Sequence, residues 1–125
     1  MIRGIGVDTV SIPELDAMLK RLTDGAIKRI FSTEELAASR NVRDASEYLA
    51  TRFAAKEAVY KAVAPLLEGE PFDMRMVETR NRADGSPYVN SNDGLDDVLK
   101  RAGISHLLIS ITTEGNLATA FVIAE

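Results

Sequence analysis

The chain has 125 residues, a net charge of −4 and 46% hydrophobic residues, which fits one compact domain over residues 1–125 and argues against disorder. It has no cysteine and a single histidine, His106, so disulfides, thiolate zinc sites, cysteine nucleophiles and multi-histidine metal centres are excluded. No run of about 18 apolar residues offers a membrane span, and Met1-Ile2-Arg3-Gly4 lacks the basic-then-apolar layout of a secretory signal, so the expected location is cytoplasmic.

Along the chain, residues 2–9 predict a strand. In it Gly4, Gly6 and Asp8 point to one face, and Ile5 and Val7 to the other. Glycine weakens a strand and needs a reason. Two are open: something large lies close against that face with Asp8 at its edge, or a helix packs tightly there and Asp8 is only a strand-end residue. Ser11 with Glu14 fits a capping box, Pro13 is tolerated in a first turn, and Ile12, Leu15, Leu19 and Leu22 repeat at helical spacing, predicting a helix over 12–22. Thr23-Asp24-Gly25 ends it. A short helix to about Ile30 follows, then one from a Ser32/Glu35 capping box to about Ser39. Asp44 with Glu47 opens a long helix that Pro65 closes. At about 20 residues it spans roughly 30 Å, the width of a small domain.

The second half changes character. Phe72–Arg80 reads as a strand, 83–87 as a turn, and 87–90 as a short strand. A helix is predicted from Asp96 to Arg101, stopping at Gly103. His106–Thr112 and Leu117–Ala124 form two apolar strands joined by a hairpin turn. Helices crowd the first half and strands the second, with one strand at the start. This is the pattern of an α+β fold, an antiparallel sheet packed against a long central helix, and not of βαβ units.

Charge is uneven. Residues 20–61 carry nine Lys or Arg against six Asp or Glu, and residues 62–125 carry five against ten. Either this is ordinary solvated surface, or one anionic partner docks in one place. General nucleic-acid binding needs a larger positive excess. In the long helix, Phe53, Glu57 and Lys61 share a face, and Ala54, Ala55 and Ala58 keep it thin. A thin helix lets the first strand approach, bringing Asp8 near Glu57. Two carboxylates without sulfur or imidazole suit Mg²⁺ bound together with phosphate oxygens. Lys61 and Lys56, with Arg52 one turn before Lys56, offer charge for phosphate. The plainer alternative is a Glu57–Lys61 surface ion pair, worth a few tenths of a kcal/mol.

Four stretches in order, GIGVD at 4–8, RIFSTEEL at 29–36, YLATRFAAKEAVYKA at 48–62 and DGSPYV at 84–89, resemble the holo-[acyl-carrier-protein] synthases, the small 4′-phosphopantetheinyl transferases, over essentially the whole chain. The resemblance implies transfer of 4′-phosphopantetheine from coenzyme A to a serine of an apo acyl carrier protein, releasing adenosine 3′,5′-bisphosphate in the service of fatty acid biosynthesis. By matched position it implies that Asp8 and Glu57 hold Mg²⁺ on the coenzyme A diphosphate. Lys61 lies by the same phosphates, Arg52 faces the nucleotide phosphate end, and Lys56 and Pro87 join the coenzyme A site. It also implies a homotrimer with sites at subunit interfaces, and neither a nucleic acid nor a membrane as partner.

The match departs in three places. Glu14 stands where the family usually has a carrier-docking Arg, though Met18 and Arg21 remain on the same helix. Ala64-Pro65-Leu66-Leu67 replaces a Gly-rich turn, and Thr113 a histidine. No residue stands out as the base for the serine proton. Two other readings stay open: a different Mg²⁺ enzyme with a strand-one Asp, which would need βαβ order and further carboxylates, and a binding module that kept the fold without catalysis.

Overall fold

In the computed structural model, which describes residues 1–125, the chain begins with strand β1 (Gly4–Ser11), helix α1 (Ile12–Arg21), a one-turn helix α2 (Asp24–Ile27) and α3 (Thr33–Ser39). The long helix α4 (Ala45–Val63) follows. Strands β2 (Thr79–Asn81) and β3 (Pro87–Val89), helix α5 (Asp93–Arg101) and strands β4 (Leu107–Glu114) and β5 (Leu117–Ala124) complete it. The main sheet is antiparallel with the order β1-β5-β4, and β2 and β3 form a separate two-stranded ribbon. The expected α+β arrangement is the one found.

Helix α4 lies on the inner face of the main sheet, and side-chain size sets how close it comes. Ala54, Ala55, Ala58 and Ala62 of the helix are buried, as are Ala118, Ala120 and Ala124 of β5. The contact tightens at β1. A Cβ on Gly4 would run into the carbonyl oxygen of Ala62, and one on Gly6 into that of Ala58. The glycines therefore exist to admit α4. The same face of β1 continues to Asp8, which pairs across the ladder with Ala120.

The caps follow the sequence closely. Ser32 and Glu35 form the full reciprocal box, with Glu35 N–H donating to Ser32 Oγ (3.1 Å) and Ser32 N–H to Glu35 Oε1 (2.9 Å). Asp44 accepts from Glu47 N–H. At α1 only half of the expected box forms. Glu14 N–H donates to Ser11 Oγ at 3.3 Å, while the Glu14 carboxylate is turned elsewhere. Helix α4 stops at Val63, and Ala64–Leu66 tightens into a 3₁₀ turn around Pro65. Helix α5 starts three residues earlier than predicted because Asn92 caps it, its Oδ1 accepting from Leu95 N–H.

Two expectations are corrected together. The predicted strand Phe72–Arg80 is strand only from Thr79, and Met74–Met76 forms a 3₁₀ turn. Lys56, expected at a phosphate, is fully buried. Its ammonium donates to Met74 O (3.0 Å) and Val77 O (2.5 Å) and pairs with Glu35 Oε1 at 2.7 Å. Three acceptors match its three donors, so no donor is left for a ligand. The carbonyls that curl toward it are what prevents an extended strand at 74–77. Burial pushes the Lys56 pKa down, and the Glu35 carboxylate pulls it back up. Lys56 thus clamps α3 and the 74–77 turn onto α4.

Removing one partner of such a pair strands a buried charge, whereas removing both does not. Lys56→Met is expected to lower stability by about 3–5 kcal/mol in urea unfolding, and Glu35→Leu/Lys56→Met to recover most of the loss. A single variant as stable as the parent contradicts the clamp.

Candidate active site

Helix α4 carries different chemistry on its two flanks. On one, Phe53 and Glu57 line an open cleft of about 380 Å³ with Asp8 of β1 and Glu14, Leu15 and Met18 of α1. The close packing at Gly4 and Gly6 delivers Asp8 to this position. Lys61, one turn beyond Glu57, places its Nζ 3.0 Å from Asp8 Oδ1 and 3.1 Å from Val7 O. Asp8 is largely covered (16% exposed), whereas Lys61 is half exposed (50%). The surface Glu57–Lys61 pair that the sequence left open is therefore replaced by an Asp8–Lys61 pair across strand and helix.

Burial pushes the Glu57 pKa up, the negative charge of Asp8 pushes it further, and Lys61 opposes both. Two carboxylates within each other's field favour a cation between them. The chain has no group of three or more His, Cys, Asp or Glu side chains that could hold a metal ion. The donor set at the cleft is thus the two carboxylates, and other oxygens would have to complete an octahedral shell. That fits Mg²⁺, which keeps waters and takes substrate phosphate oxygens, and does not fit zinc.

On the other flank, Arg52, Pro87, Gly85, Asn81 and Thr113 line a second cleft of about 250 Å³. The Arg52 guanidinium stacks over Tyr48 (4.4 Å to the ring centroid) and donates to Asn81 Oδ1 at 2.9 Å and Thr51 Oγ1 at 3.2 Å. Arg52 and Pro87, expected together from the sequence, do meet here. Thr113 stands among them, in the place of the histidine that the sequence departs from.

Asp8, Glu57 and Lys61 are brought together, Arg52 and Pro87 form a separate group, and Lys56 joins neither. Sequence reasoning missed Tyr48, although it lies one turn before Arg52 on the same helix and that spacing was readable. It missed Asn81, which only the tertiary fold brings to Arg52. It also missed that Glu14 faces the carboxylate cleft. The largest cleft, about 700 Å³, lies between the start of α3 and residues 73–92. Its charges are mostly spent on one another, in Asp73–Arg75 and Glu78–Arg80 pairs, and none of the expected residues reaches it. His106 is exposed, sits 3.8 Å from Glu125 and lines none of these clefts.

The sequence profile of the 4′-phosphopantetheinyl transferase superfamily matches residues 4–122. A holo-[acyl-carrier-protein] synthase of Desulforudis audaxviator is 39% identical over 124 residues, covering 99% of this chain and 93% of the relative. The crystal structure of the holo-[acyl-carrier-protein] synthase from Neisseria meningitidis superposes with a TM-score of 0.87 at 34% identity, covering 100% of this chain and 99% of that one. The Bacillus anthracis synthase, solved in complex with coenzyme A (3′,5′-ADP), gives a TM-score of 0.74 at 27% identity over 99% of this chain and 96% of that one. With a tightly packed strand and helix setting two carboxylates at one cleft and a lysine against one of them, and with these likenesses over nearly its whole length, the chain belongs to the 4′-phosphopantetheinyl transferase superfamily.

Proposed function

We propose that this single domain transfers 4′-phosphopantetheine from coenzyme A to a serine hydroxyl of an apo acyl carrier protein in the cytoplasm, in a Mg²⁺-dependent reaction that releases adenosine 3′,5′-bisphosphate. The observation that carries this reading is the meeting of Asp8 and Glu57 at one cleft, with Lys61 paired to Asp8, in a chain similar throughout to holo-[acyl-carrier-protein] synthases. Asp8 and Glu57 would hold the Mg²⁺. When bound, the ion supplies positive charge against the diphosphate oxygens, where negative charge grows as the phosphoryl group transfers.

The rest is work for the chain's own side chains. The serine oxygen attacks the β-phosphorus, and the bond to the bridging oxygen of the leaving adenosine bisphosphate breaks. Lys61 sits beside Asp8 with half of its surface open, so its ammonium can lean toward the diphosphate oxygens. The serine proton has to leave as the new bond forms. With both carboxylates occupied in holding the ion, a water in the cleft relaying to Glu57 or Asp8 would take it up. Leu15, Met18 and Phe53 give the cleft an apolar wall that limits water around the reacting atoms. A carrier serine reaching this cleft passes over α1, so Glu14, Met18 and Arg21 bear on carrier choice, with Glu14 disfavouring an acidic contact next to the serine.

The two flanks also bear on assembly. Arg52 lies about 140° around α4 from Glu57, too far around for one protomer to offer both groups to a single extended ligand. Coenzyme A would take its diphosphate site from one protomer and the Arg52–Pro87 cleft from a neighbour. The outer face of the main sheet supports such pairing. Ile5 (63% exposed), Val7 (52%), Leu108 (51%) and Phe121 (42%) lie on it, an apolar surface of the kind that marks subunit contacts. We assign this face to the homotrimer that the family resemblance implies.

Asp8→Ala and Glu57→Ala are each expected to lower transfer by about 10²–10³-fold or more, read as the mass gained by an apo carrier protein, with the far-ultraviolet circular dichroism of the parent retained. Full activity in either variant overturns the metal site. In sedimentation the parent is expected as a trimer, and Val7→Glu/Phe121→Lys as a folded monomer without transfer. An active monomeric parent refutes the shared site.

A further inference from the structure

Arg52 is held in place unusually well for a partly exposed side chain, and the holding group is Asn81. The guanidinium has five N–H donors. One goes to Thr51 Oγ1 (3.2 Å) and one to Asn81 Oδ1 (2.9 Å). Nε is buried without a partner, and the Tyr48 ring covers one face of the plane at 4.4 Å. Two donors remain to serve the 250 Å³ cleft that Arg52 lines. A guanidinium fixed in this way loses little rotamer freedom when it takes an anion.

Asn81 works in two directions. Its Oδ1 accepts from Arg52, and its Nδ2 donates to Gly85 O at 2.9 Å. Only this orientation of the amide satisfies both neighbours, because Arg52 has no acceptor and the Gly85 carbonyl has no donor. One surface side chain therefore links the charged group on α4 to the β2–β3 turn whose Gly85 and Pro87 form the opposite wall of the cleft. No other side chain bonds to both sides of it. Asn81 itself is exposed, so it contributes little to the core.

We infer that Asn81 is a positioning residue that sets the enzyme's preference for a 3′-phosphorylated nucleotide. It fixes the Arg52 fork and the Gly85–Pro87 wall at one spacing. The inference rests on the assignment of Arg52 to the nucleotide phosphate end of coenzyme A. Asn81→Ala frees both the guanidinium and the turn. Asn81→Asp keeps an acceptor for Arg52 but loses the donor to Gly85, and its negative charge occupies the fork that the phosphate needs.

The test is the ratio of kcat/KM for coenzyme A to kcat/KM for 3′-dephospho-coenzyme A, measured with one carrier protein. The parent is expected to prefer coenzyme A strongly, and Arg52→Met to bring the ratio close to unity. Asn81→Ala is expected to lower the ratio about ten-fold, the scale of one charge-assisted hydrogen bond, mainly through KM. Asn81→Asp should lower it further. Because Asn81 acts through Arg52, Arg52→Met/Asn81→Ala should give the same ratio as Arg52→Met alone. A parent that does not discriminate, with Arg52→Met silent, overturns the Arg52 assignment. A parent that discriminates through Arg52, with Asn81→Ala silent or fully additive to Arg52→Met, overturns the role of Asn81 while leaving the Arg52 assignment standing.

Discussion

The approach of β1 to α4 is the constraint on which the rest depends. Gly4 and Gly6 lie against the carbonyls of Ala62 and Ala58 with no room for a Cβ, and the helix answers with alanines at Ala54, Ala55, Ala58 and Ala62. Each residue here is a poor one by another standard. Glycine weakens a strand, and alanine buries little apolar area. Together they let backbone meet backbone and place an acid within the second half of the strand beside an acid midway along the helix. The raised proton affinity of Glu57 and the Asp8–Lys61 pair both follow from that distance of approach.

Helix α4 then distributes function by angle. Lys56 points inward and secures α3 and the 74–77 turn. Its neighbour Glu57 points into the cleft with Asp8. Arg52 points to a third side, where Asn81 and Tyr48 hold it against the β2–β3 ribbon. Three roles on one helix, at Arg52, Lys56 and Glu57, explain why a segment so rich in charge can also be the central packing element. They also bear on the proposed trimer, since Arg52 and Glu57 lie about 140° apart around one helix.

Much of this was legible in the sequence where the signal is local. The caps at Ser32 and Asp44, the helix stop at Pro65 and the turn that joins β4 to β5 rest on contacts within a few residues. The pairing of Asp8 with Glu57 was legible because small residues on both partners announced a close contact. The direction of Lys56 was not. A lysine beside a cleft-facing glutamate reads as ligand-binding, and only the carbonyls of Met74 and Val77, brought in from 18 and 21 residues away, show it to be internal. The same bonds turn Met74 O and Val77 O inward, within the strand expected at 72–78, whose apolar pattern is real. Asn81 meets Arg52 across 29 residues, and no periodicity reports such a contact.

The most direct test of the central claim is crystallographic. Crystals grown with coenzyme A and Mn²⁺ in place of Mg²⁺ allow the ion to be located by its anomalous scattering. One ion bound by both the Asp8 and Glu57 carboxylates, with the coenzyme A diphosphate completing its shell, is the predicted result. Coenzyme A bound with the ion elsewhere, or with either carboxylate turned away from it, contradicts the account.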